Sequence, residues 1–330
     1  MASPVRPAGI VSIASHAPEK VLTNFDLEKM VDTSDEWIRT RTGIVERHIV
    51  ADHECTSDLA LEASRKAIAR AQVSPDEIDL IIVATVTPDF PFPATACLVQ
   101  ERLGASRAGA FDLQAGCTGF IYALTVAAQF VSSGAMDTVL VIGADCLSRI
   151  TDWTDRTTCV LFGDGAGAAV VRPVEAGRGL LAFDLGSDGS GSELLQVEVG
   201  GAKVPITQEM VAQKRQFISM SGNEVFRFAV RAMGESAERA MARCGITSED
   251  VGCYIPHQAN LRIIDSAAKR LHAPTDKVIV NVDNYGNTSC ASIPLAFDEA
   301  VQDGRIKSGD IVVCVGFGAG LTWGSCVIQW

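Results

Sequence analysis

Apolar positions along this chain follow two patterns, one typical of buried strands and one typical of amphipathic helices. Residues 80–84 and 138–142 are almost continuous apolar runs, as in strands that are covered on both faces. Residues 57–72 and 118–132 repeat their apolar side chains at helical spacing. Further short strands are predicted at 8–14 and 44–50. Strands that alternate with helices in this way predict an α/β fold.

The predicted elements recur in the second half of the chain. The matching segments are 67–78 with 240–251, 110–117 with 279–287, and 135–143 with 307–316. This alignment places Gly116 on Gly286 and Cys117 on Asn287. Because a recurring supersecondary pattern is the mark of a duplicated architecture, we predict two copies of one α/β unit.

The repeat also predicts how the chain is divided. We expect an N-terminal half over residues 1–175 and a C-terminal half over residues 176–330, both of ordinary domain length. Residues 187–216 are rich in glycine and irregular in pattern, which predicts a connecting flap. Equivalent turns of the two halves then meet near a pseudo-two-fold axis, so that Cys117 faces Asn287.

Cys117 stands between a predicted strand and a long apolar helix. Unpaired N–H groups and the helix dipole favour an anion at a helix N-terminus, so we expect a thiol that ionises more easily than a free one. Such a thiolate is a good nucleophile for acyl transfer. The competing interpretation is a small buried cysteine that fills space beside Gly116.

His257 follows a predicted strand of the second half, at the same kind of strand end as Cys117. Ligands of α/β sheets gather at the carboxyl ends of strands. By itself His257 could be a core histidine, and Asn287 could be a simple turn residue. The repeat brings both to the strand end that carries Cys117, which favours a shared reactive site.

Two other segments leave alternatives open. Thr33 and Glu36 form a capping-box pattern that opens a short helix, on which Trp37 and Arg41 share a face. This pair suits an adenine ring and a phosphate, or else a core tryptophan beside a solvated arginine. The glycines of residues 160–171 favour tight backbone packing over phosphate binding, since no nucleotide-binding spacing is present.

The amino-acid composition indicates the cellular compartment and argues against some classes of partner. The 330 residues carry a net charge of −12, which argues against general nucleic-acid binding. The ten cysteines form no paired spacing, so we expect reduced thiols in the cytoplasm and no metal site. No apolar run is long enough for membrane insertion, and residues 1–7 lead into no signal-peptide core.

A set of motifs in order along nearly the whole chain resembles one family. The motifs are DTSDEWI at 32–38, RTGI at 41–44, GCTGF at 116–120, FGDGAG at 162–167, MSGNEVF at 220–226, PHQANLR at 256–262, NYGNTS at 284–289 and GFGAGLTWG at 316–324. They resemble the thiolase-fold condensing enzymes, specifically the β-ketoacyl-[acyl carrier protein] synthase III family. The resemblance implies a thiolase-like fold of layered α-β-α-β-α architecture.

The resemblance also implies an activity and its residues. Cys117 would take an acyl group from an acyl-CoA, and malonyl-[acyl carrier protein] would then lose CO₂ and condense with it. His257 and Asn287 would donate hydrogen bonds to the enolate oxygen. The backbone N–H groups of Cys117 and Ala319 would form the oxyanion hole, although the family often has glycine where Ala319 stands. The product would be a β-ketoacyl-[acyl carrier protein] that starts type II fatty acid synthesis.

Binding residues follow from the same resemblance. The implied coenzyme A site comprises Thr33, Trp37, Arg41, Arg156 and Asn260. A basic patch for the acidic carrier protein would comprise Lys214, Arg215, Arg262, Lys269 and Arg270, or these could be an ordinary solvated surface. Phe92 would close the acyl pocket across a homodimer interface. We expect no tightly bound cofactor, with the coenzyme A thioester acting as substrate.

Three rival functions remain compatible with parts of this pattern. A condensing enzyme or acyltransferase of secondary metabolism or cofactor synthesis would use the same fold, and such relatives often vary His or Asn. A non-catalytic partner subunit would usually lack the cysteine. A cysteine hydrolase would need His257 as a base and open access for water. The presence of Cys117, His257 and Asn287 together favours decarboxylative condensation, but it does not identify the acyl primer.

Overall fold

The protein is described by a computed structural model that covers residues 5–330. The first four residues, which belong to the segment expected to lack a signal peptide, lie outside the described residues. The strands are β1 Ala8–His16, β2 Val21–Thr23, β3 Glu46–His48, β4 Leu80–Ala84, β5 Gly109–Leu113, β6 Val139–Cys146, β7 Asp164–Pro173, β8 Gly179–Ser187, β9 Leu195–Val197, β10 Ile218–Met220, β11 Cys253–Pro256, β12 Ile311–Gly318 and β13 Thr322–Gln329. The helices are α1 Asn24–Leu27, α2 Asp35–Thr42, α3 Thr56–Ala71, α4 Thr95–Leu103, α5 Gly119–Ser132, α6 Gln208–Ala212, α7 Gly222–Arg243, α8 Leu261–Arg270, α9 Val282–Tyr285 and α10 Ser292–Gln302.

Two sheets built on the same plan form the framework. The first has the strand order β1-β7-β6-β4-β5, and the second has the order β8-β13-β12-β11. In the first, β4 is parallel to β5 and β6, while β7 is antiparallel to β6 and β1. The second repeats this arrangement, with β11 parallel to β12 and β13 antiparallel to β12 and β8. A single parallel bridge from Tyr254 to Val278 stands where β5 lies in the first sheet.

Helices cover both faces of each sheet and separate the sheets from one another. Buried side chains of α3 and α4 form one core with the outer face of the first sheet. Those of α5 and α10 fill the space between the two sheets. Those of α7 and α8 cover the outer face of the second sheet. The predicted five-layer α-β-α-β-α architecture is therefore confirmed, and the nearly all-apolar strands follow from burial on both faces.

Some local predictions need correction. The segment 187–216 is not wholly irregular, since it contains β9 and α6, and β9 pairs with β10 beyond its end. The short helix α2 is capped by Ser34, whose side chain accepts a hydrogen bond from the backbone N–H of Trp37. Thr33 is therefore not its capping residue, because the helix begins one position later than the motif suggested. The division of the chain between residues 175 and 176 stays a prediction.

None of the helices within residues 5–330 combines the length and the apolar character needed to cross a bilayer.

Candidate active site

Two equivalent turns, one from each half, meet where the parallel strands end. Gly116 (φ +55°) precedes Cys117, and Gly286 (φ +64°) precedes Asn287. Both glycines adopt the left-handed region that other residues rarely enter. A Cβ atom on Gly116 would lie 2.6 Å from the backbone N and O atoms of Ala319. Glycine at this position therefore lets the loop after β12 lie directly against the Cys117 turn.

Burial raises the pKa of the Cys117 thiol to about 11. The Ser289 side chain and the backbone N–H groups of Cys117 and Ala319 lower this pKa but do not offset the effect of burial. The expectation of an easily ionised thiol is therefore wrong. The helix N-terminus is present as predicted, yet the loss of hydration destabilises the thiolate by more than the local N–H groups stabilise it.

His257 follows β11 and is completely buried. Its backbone N–H donates to Val315 O at 2.7 Å, and its Nδ1 lies 2.6 Å from Ser292 Oγ. The Phe317 ring packs edge-on against the imidazole, with 5.5 Å between ring centroids. Burial lowers the pKa of His257 to about 3, so the ring is neutral at physiological pH. Among residues 5–330, no group forms a hydrogen bond with His257 Nε2.

Asn287 is held by its backbone and by one side-chain oxygen. Its N–H donates to Leu161 O at 2.8 Å, and its carbonyl accepts from Gly163 N–H at 3.1 Å. The backbone N–H of Ser289 donates to Asn287 Oδ1 at 2.9 Å. This contact orients the amide, since the side-chain NH₂ group must then lie on the opposite branch. The amide NH₂ is left available as a donor in a side chain that is nearly buried.

One cavity of about 320 Å³ is lined by Cys117, His257 and Asn287, and also by Trp37 and Arg41. A second cavity of about 300 Å³ shares Cys117 with the first. Its apolar lining residues include Val86, Leu147, Ile150, Leu195, Val197 and Ile218. Cys117 therefore borders both an entrance lined by polar and aromatic groups and a mainly apolar chamber.

Trp37 is the centre of a cationic and aromatic cluster in the same part of the molecule. The guanidinium carbons of Arg41 and Arg156 each lie 4.8 Å from the centroid of its ring. Asn260 caps α8, and its amide NH₂ donates to Arg41 O at 3.1 Å. Thr33 lies just before α2 and does not line the cavity that contains Cys117. Four of the five predicted coenzyme A residues are thus drawn together, and Thr33 is peripheral.

The five predicted docking cations differ in how freely they are available. Lys214 pairs with Asp152 at 3.2 Å, Arg215 pairs with Glu198 at 2.5 Å, and Arg270 pairs with Glu235 at 3.4 Å. Arg262 lies over the Phe226 ring at 5.5 Å, and the exposed Lys269 forms no ion pair within the described chain.

Phe92 lies on an exposed loop and is 85 % accessible. It lines neither of the two cavities that contain Cys117. Its predicted role across a dimer interface therefore stays a prediction.

Two side chains at the centre were missed as individual residues by sequence reasoning. Ser289 lines the apolar chamber together with Cys117, and its backbone N–H orients Asn287. Phe317 packs against His257. Both stand inside motifs already recognised in the sequence, at 284–289 and 316–324. Ser289 also adopts a left-handed conformation (φ +49°), and no sequence signal reveals such a conformation in a serine.

This duplicated five-layer fold, with a cysteine on a strand-to-helix turn beside a neutral histidine and an oriented asparagine, defines a condensing enzyme of the thiolase fold. Family models described as 3-oxoacyl-[acyl-carrier-protein] synthase III match residues 111–189, and the C-terminal model of the same family matches residues 241–330. The chain belongs to the β-ketoacyl-[acyl-carrier-protein] synthase III family.

Individual relatives cover the chain from end to end. The β-ketoacyl-[acyl-carrier-protein] synthase III of Desulfitobacterium hafniense (strain DSM 10664 / DCB-2) is 58 % identical over 98 % of this chain and 97 % of its own. That of Symbiobacterium thermophilum is 56 % identical over 99 % of both chains. The crystal structure of the Thermus thermophilus protein is 50 % identical, with a TM-score of 0.92, over 98 % of this chain and 99 % of its own.

A relative of known structure that is named for a polyketide pathway is also similar to this chain. The priming β-ketosynthase of the R1128 polyketide biosynthetic pathway is 36 % identical over 99 % of this chain and 98 % of its own, with a TM-score of 0.92.

Proposed function

We propose that this protein condenses an acyl-CoA primer with malonyl-[acyl carrier protein], through an acyl-Cys117 intermediate, to start type II fatty acid synthesis. The observation that carries this proposal is the convergence of the Cys117 thiol, His257 Nε2 and the Asn287 amide on one cavity. Acylating the nucleophile first divides a difficult carbon–carbon bond formation into two easier steps.

In the first step the Cys117 sulfur attacks the thioester carbonyl of acyl-CoA. The new carbon–sulfur bond replaces the bond to coenzyme A, and the Cys117 proton ends on the departing coenzyme A thiol. The oxyanion of this step is stabilised by the backbone N–H groups of Cys117 and Ala319, which also act to lower the pKa of the thiol against the larger effect of burial. The apolar chamber on the other side of Cys117 accommodates the acyl chain.

In the second step malonyl-[acyl carrier protein] loses CO₂, and negative charge develops on its thioester oxygen. His257 Nε2 and the Asn287 NH₂ group donate hydrogen bonds to that oxygen. Preorganised donors in a dry site contribute about 3 kcal/mol each to stabilising such charge. The resulting carbanion attacks the acyl-Cys117 carbonyl, which releases the β-ketoacyl product and a Cys117 thiolate that takes a proton from solvent.

Trp37, with Arg41 and Arg156, binds the adenosine and phosphate part of coenzyme A. The ring offers an aromatic face, and the two guanidinium groups offer charge-assisted donors. Arg156 now stacks on Trp37 and donates to Asp32 O at 2.6 Å, so an entering adenine must displace it from one of these contacts. Asn260 lines the same entrance, and Thr33 contributes at its edge.

Arg262 and Lys269 on α8 are the most available cations for an acidic carrier protein, with Lys214, Arg215 and Arg270 joining after exchange of their present ion pairs. No tightly bound cofactor is needed, since the thioester substrates carry the activated acyl groups. We further propose that the enzyme works as a homodimer in the cytoplasm, where its ten unpaired cysteines remain reduced.

The test is the intact mass of the protein after incubation with a panel of acyl-CoAs, followed by malonyl-[acyl carrier protein]. We expect a gain of one acyl group on the wild type but not on Cys117→Ala, and discharge as a β-ketoacyl product. The primer that acylates fastest identifies the starting substrate. Acylation that malonyl-[acyl carrier protein] cannot discharge would contradict condensation and favour a simple acyltransferase.

A further inference from the structure

His257 can stabilise an enolate oxygen only if the proton of its neutral ring lies on Nε2. A neutral imidazole has one N–H group, and the partner of the other nitrogen decides which one carries the proton. At His257 the other nitrogen, Nδ1, lies 2.6 Å from the hydroxyl oxygen of Ser292, at the start of α10. The direction of this one hydrogen bond therefore determines what Nε2 can do.

The contacts of Ser292 favour one direction. Its hydroxyl oxygen accepts a hydrogen bond from the backbone N–H of Gln258 at 3.4 Å. Ser292 is almost completely buried, and within residues 5–330 its hydroxyl has no acceptor other than His257 Nδ1. If the serine donates to Nδ1, every polar atom of the pair is satisfied except Nε2–H, which lies where the substrate oxygen would arrive.

The opposite direction leaves two groups without partners. If Nδ1–H donated to Ser292, the serine proton would be stranded in a buried site, and the Nε2 lone pair would also lack a donor. Buried donors without acceptors are costly, so this arrangement is disfavoured. It would also make Nε2 an acceptor, which suits a base rather than a donor.

We infer that Ser292 is a positioning residue, which fixes His257 as the Nε2–H tautomer by donating to Nδ1, and so sets the enzyme for decarboxylation rather than for base catalysis. This inference rests on the proposed function, because it assigns a role within the second step. Gln258 assists, since its N–H occupies a lone pair of the serine oxygen and its side chain binds Pro256 O at 2.8 Å and Ile279 O at 3.0 Å.

The direct test is ¹H–¹⁵N correlation spectroscopy of full-length wild-type protein with ¹⁵N-labelled histidine. The His257 signals are assigned by their loss in His257→Gln. We expect an unprotonated Nδ1 and a protonated Nε2 at neutral pH. A protonated Nδ1 in the wild type would overturn the inference, whatever any variant does.

The kinetic test separates the two half-reactions. Ser292→Ala should leave the rate of Cys117 acylation within about twofold and lower malonyl decarboxylation about tenfold in kcat with little change in KM, below the 10²–10³-fold cost of deleting an oxyanion donor. Ser292→Thr keeps the hydroxyl and should restore most of the rate. Equal slowing of both half-reactions in Ser292→Ala would overturn the role, because it would indicate general disruption.

A matched control is Ser64→Ala, which removes another buried helical hydroxyl, bonded to Ala60 O at 2.6 Å and remote from the active site. It should change neither half-reaction.

Different results would contradict the proposed function and the role of Ser292. If wild-type protein does not acylate Cys117, the proposed function fails while the spectrum still reports the tautomer. If the wild type condenses normally with Nδ1 protonated, only the role of Ser292 fails.

Discussion

The turns that carry Cys117 and Asn287 occupy equivalent positions in the two halves. The neighbouring groups, however, act on different atoms: the side-chain sulfur of Cys117, and the backbone and side-chain oxygen of Asn287. Each follows a left-handed glycine, and each is held by the opposite half of the molecule. The Cys117 turn contacts Ala319, whereas the Asn287 backbone pairs with Leu161 and Gly163. The duplication thus supplies a glycine with positive φ before each of the two residues, and the side chain decides what each copy does.

The two turns differ in the groups that they place around each side chain. At Cys117, burial raises the pKa of the thiol, while the backbone N–H groups of Cys117 and Ala319 act in the opposite direction and favour negative charge beside the sulfur. At Asn287, the neighbouring N–H of Ser289 takes the side-chain oxygen, so that the amide NH₂ is left to donate. In the proposed function, one turn supplies a nucleophile with its oxyanion hole, and the other supplies a donor for an enolate. Separate half-reactions should depend on separate turns.

The largest expected effect comes from removing the nucleophile. Cys117→Ala should abolish acylation by acyl-CoA, because Cys117 supplies the thiol that lines both cavities and forms the thioester. It should nevertheless retain slow decarboxylation of malonyl-[acyl carrier protein], since the donors of the second half are untouched. Intact mass measures acylation, and release of CO₂ measures decarboxylation. Loss of both activities in a folded variant would contradict the separation of roles.

The reciprocal change is at Asn287. Asn287→Ala should slow decarboxylation about 10²–10³-fold by removing one oxyanion donor, with acylation of Cys117 changed only a few-fold. Asn287→Asp is the matched control, because it can still accept from Ser289 N–H but offers no NH₂ group. Both variants should be equally impaired in the CO₂ assay. A nearly active Asn287→Asp would indicate that the amide does not act as the donor.

Replacing Gly116 or Gly286 with alanine should lower the free energy of unfolding by more than the strain of the left-handed backbone conformation alone. A Cβ on Gly286 would lie 2.8 Å from Leu161 O, and one on Gly116 would lie 2.6 Å from Ala319. Gly245 also has a positive φ (+70°) but has no atom within 4 Å of its added Cβ. Urea unfolding should give about 1–2 kcal/mol for Gly245→Ala, the cost of the left-handed conformation. Gly116→Ala and Gly286→Ala should exceed it, and equal costs for all three would show that the close approach of the turns is unimportant.

A further expected effect is a pH dependence of stability. Burial lowers the pKa of His257 from 6.5 to about 3, so the unfolded chain takes up a proton below about pH 6.5 that the folded chain refuses. Stability from the neutral ring is therefore present above pH 6.5 and is lost as pH falls toward 3. His257→Gln should flatten the decline of Tm between pH 6.5 and 4, and the exposed His53→Gln should not. Identical slopes for His257→Gln and the wild type would contradict this account.

The periodicity of apolar residues along the chain was sufficient to predict much of the framework of strands and helices. The apolar runs at 80–84 and 138–142 mark strands because burial on both faces leaves no place for polar residues. The repeat that aligned Gly116 with Gly286 is matched by the shared order and direction of the two sheets. The capping residue of α2 was misassigned because Thr33 and Ser34 both suit an N-cap by type, and only the backbone dihedral angles at Ser34 distinguish them.

The candidate site was predictable in its members but not in its electrostatics. Cys117, His257 and Asn287 stand in motifs whose types and order indicate the chemistry. The pKa of the Cys117 thiol could not be predicted, because the helix terminus is a local feature while the burial that dominates comes from distant segments. The docking patch shows the same limit, since Arg215 and Arg270 are partnered by glutamates far from them in sequence.

By itself the sequence determined the fold class, the repeated pattern and the candidate residues Cys117, His257 and Asn287, because periodicity and local motifs act over short stretches of chain. The tertiary structure alone decided the state in which those residues stand. Ser289 orients Asn287, the Ser292 hydroxyl meets His257 Nδ1, and burial keeps the thiol protonated and the imidazole neutral. Hydrogen-bond direction and desolvation depend on atoms that approach only when the two halves are packed together.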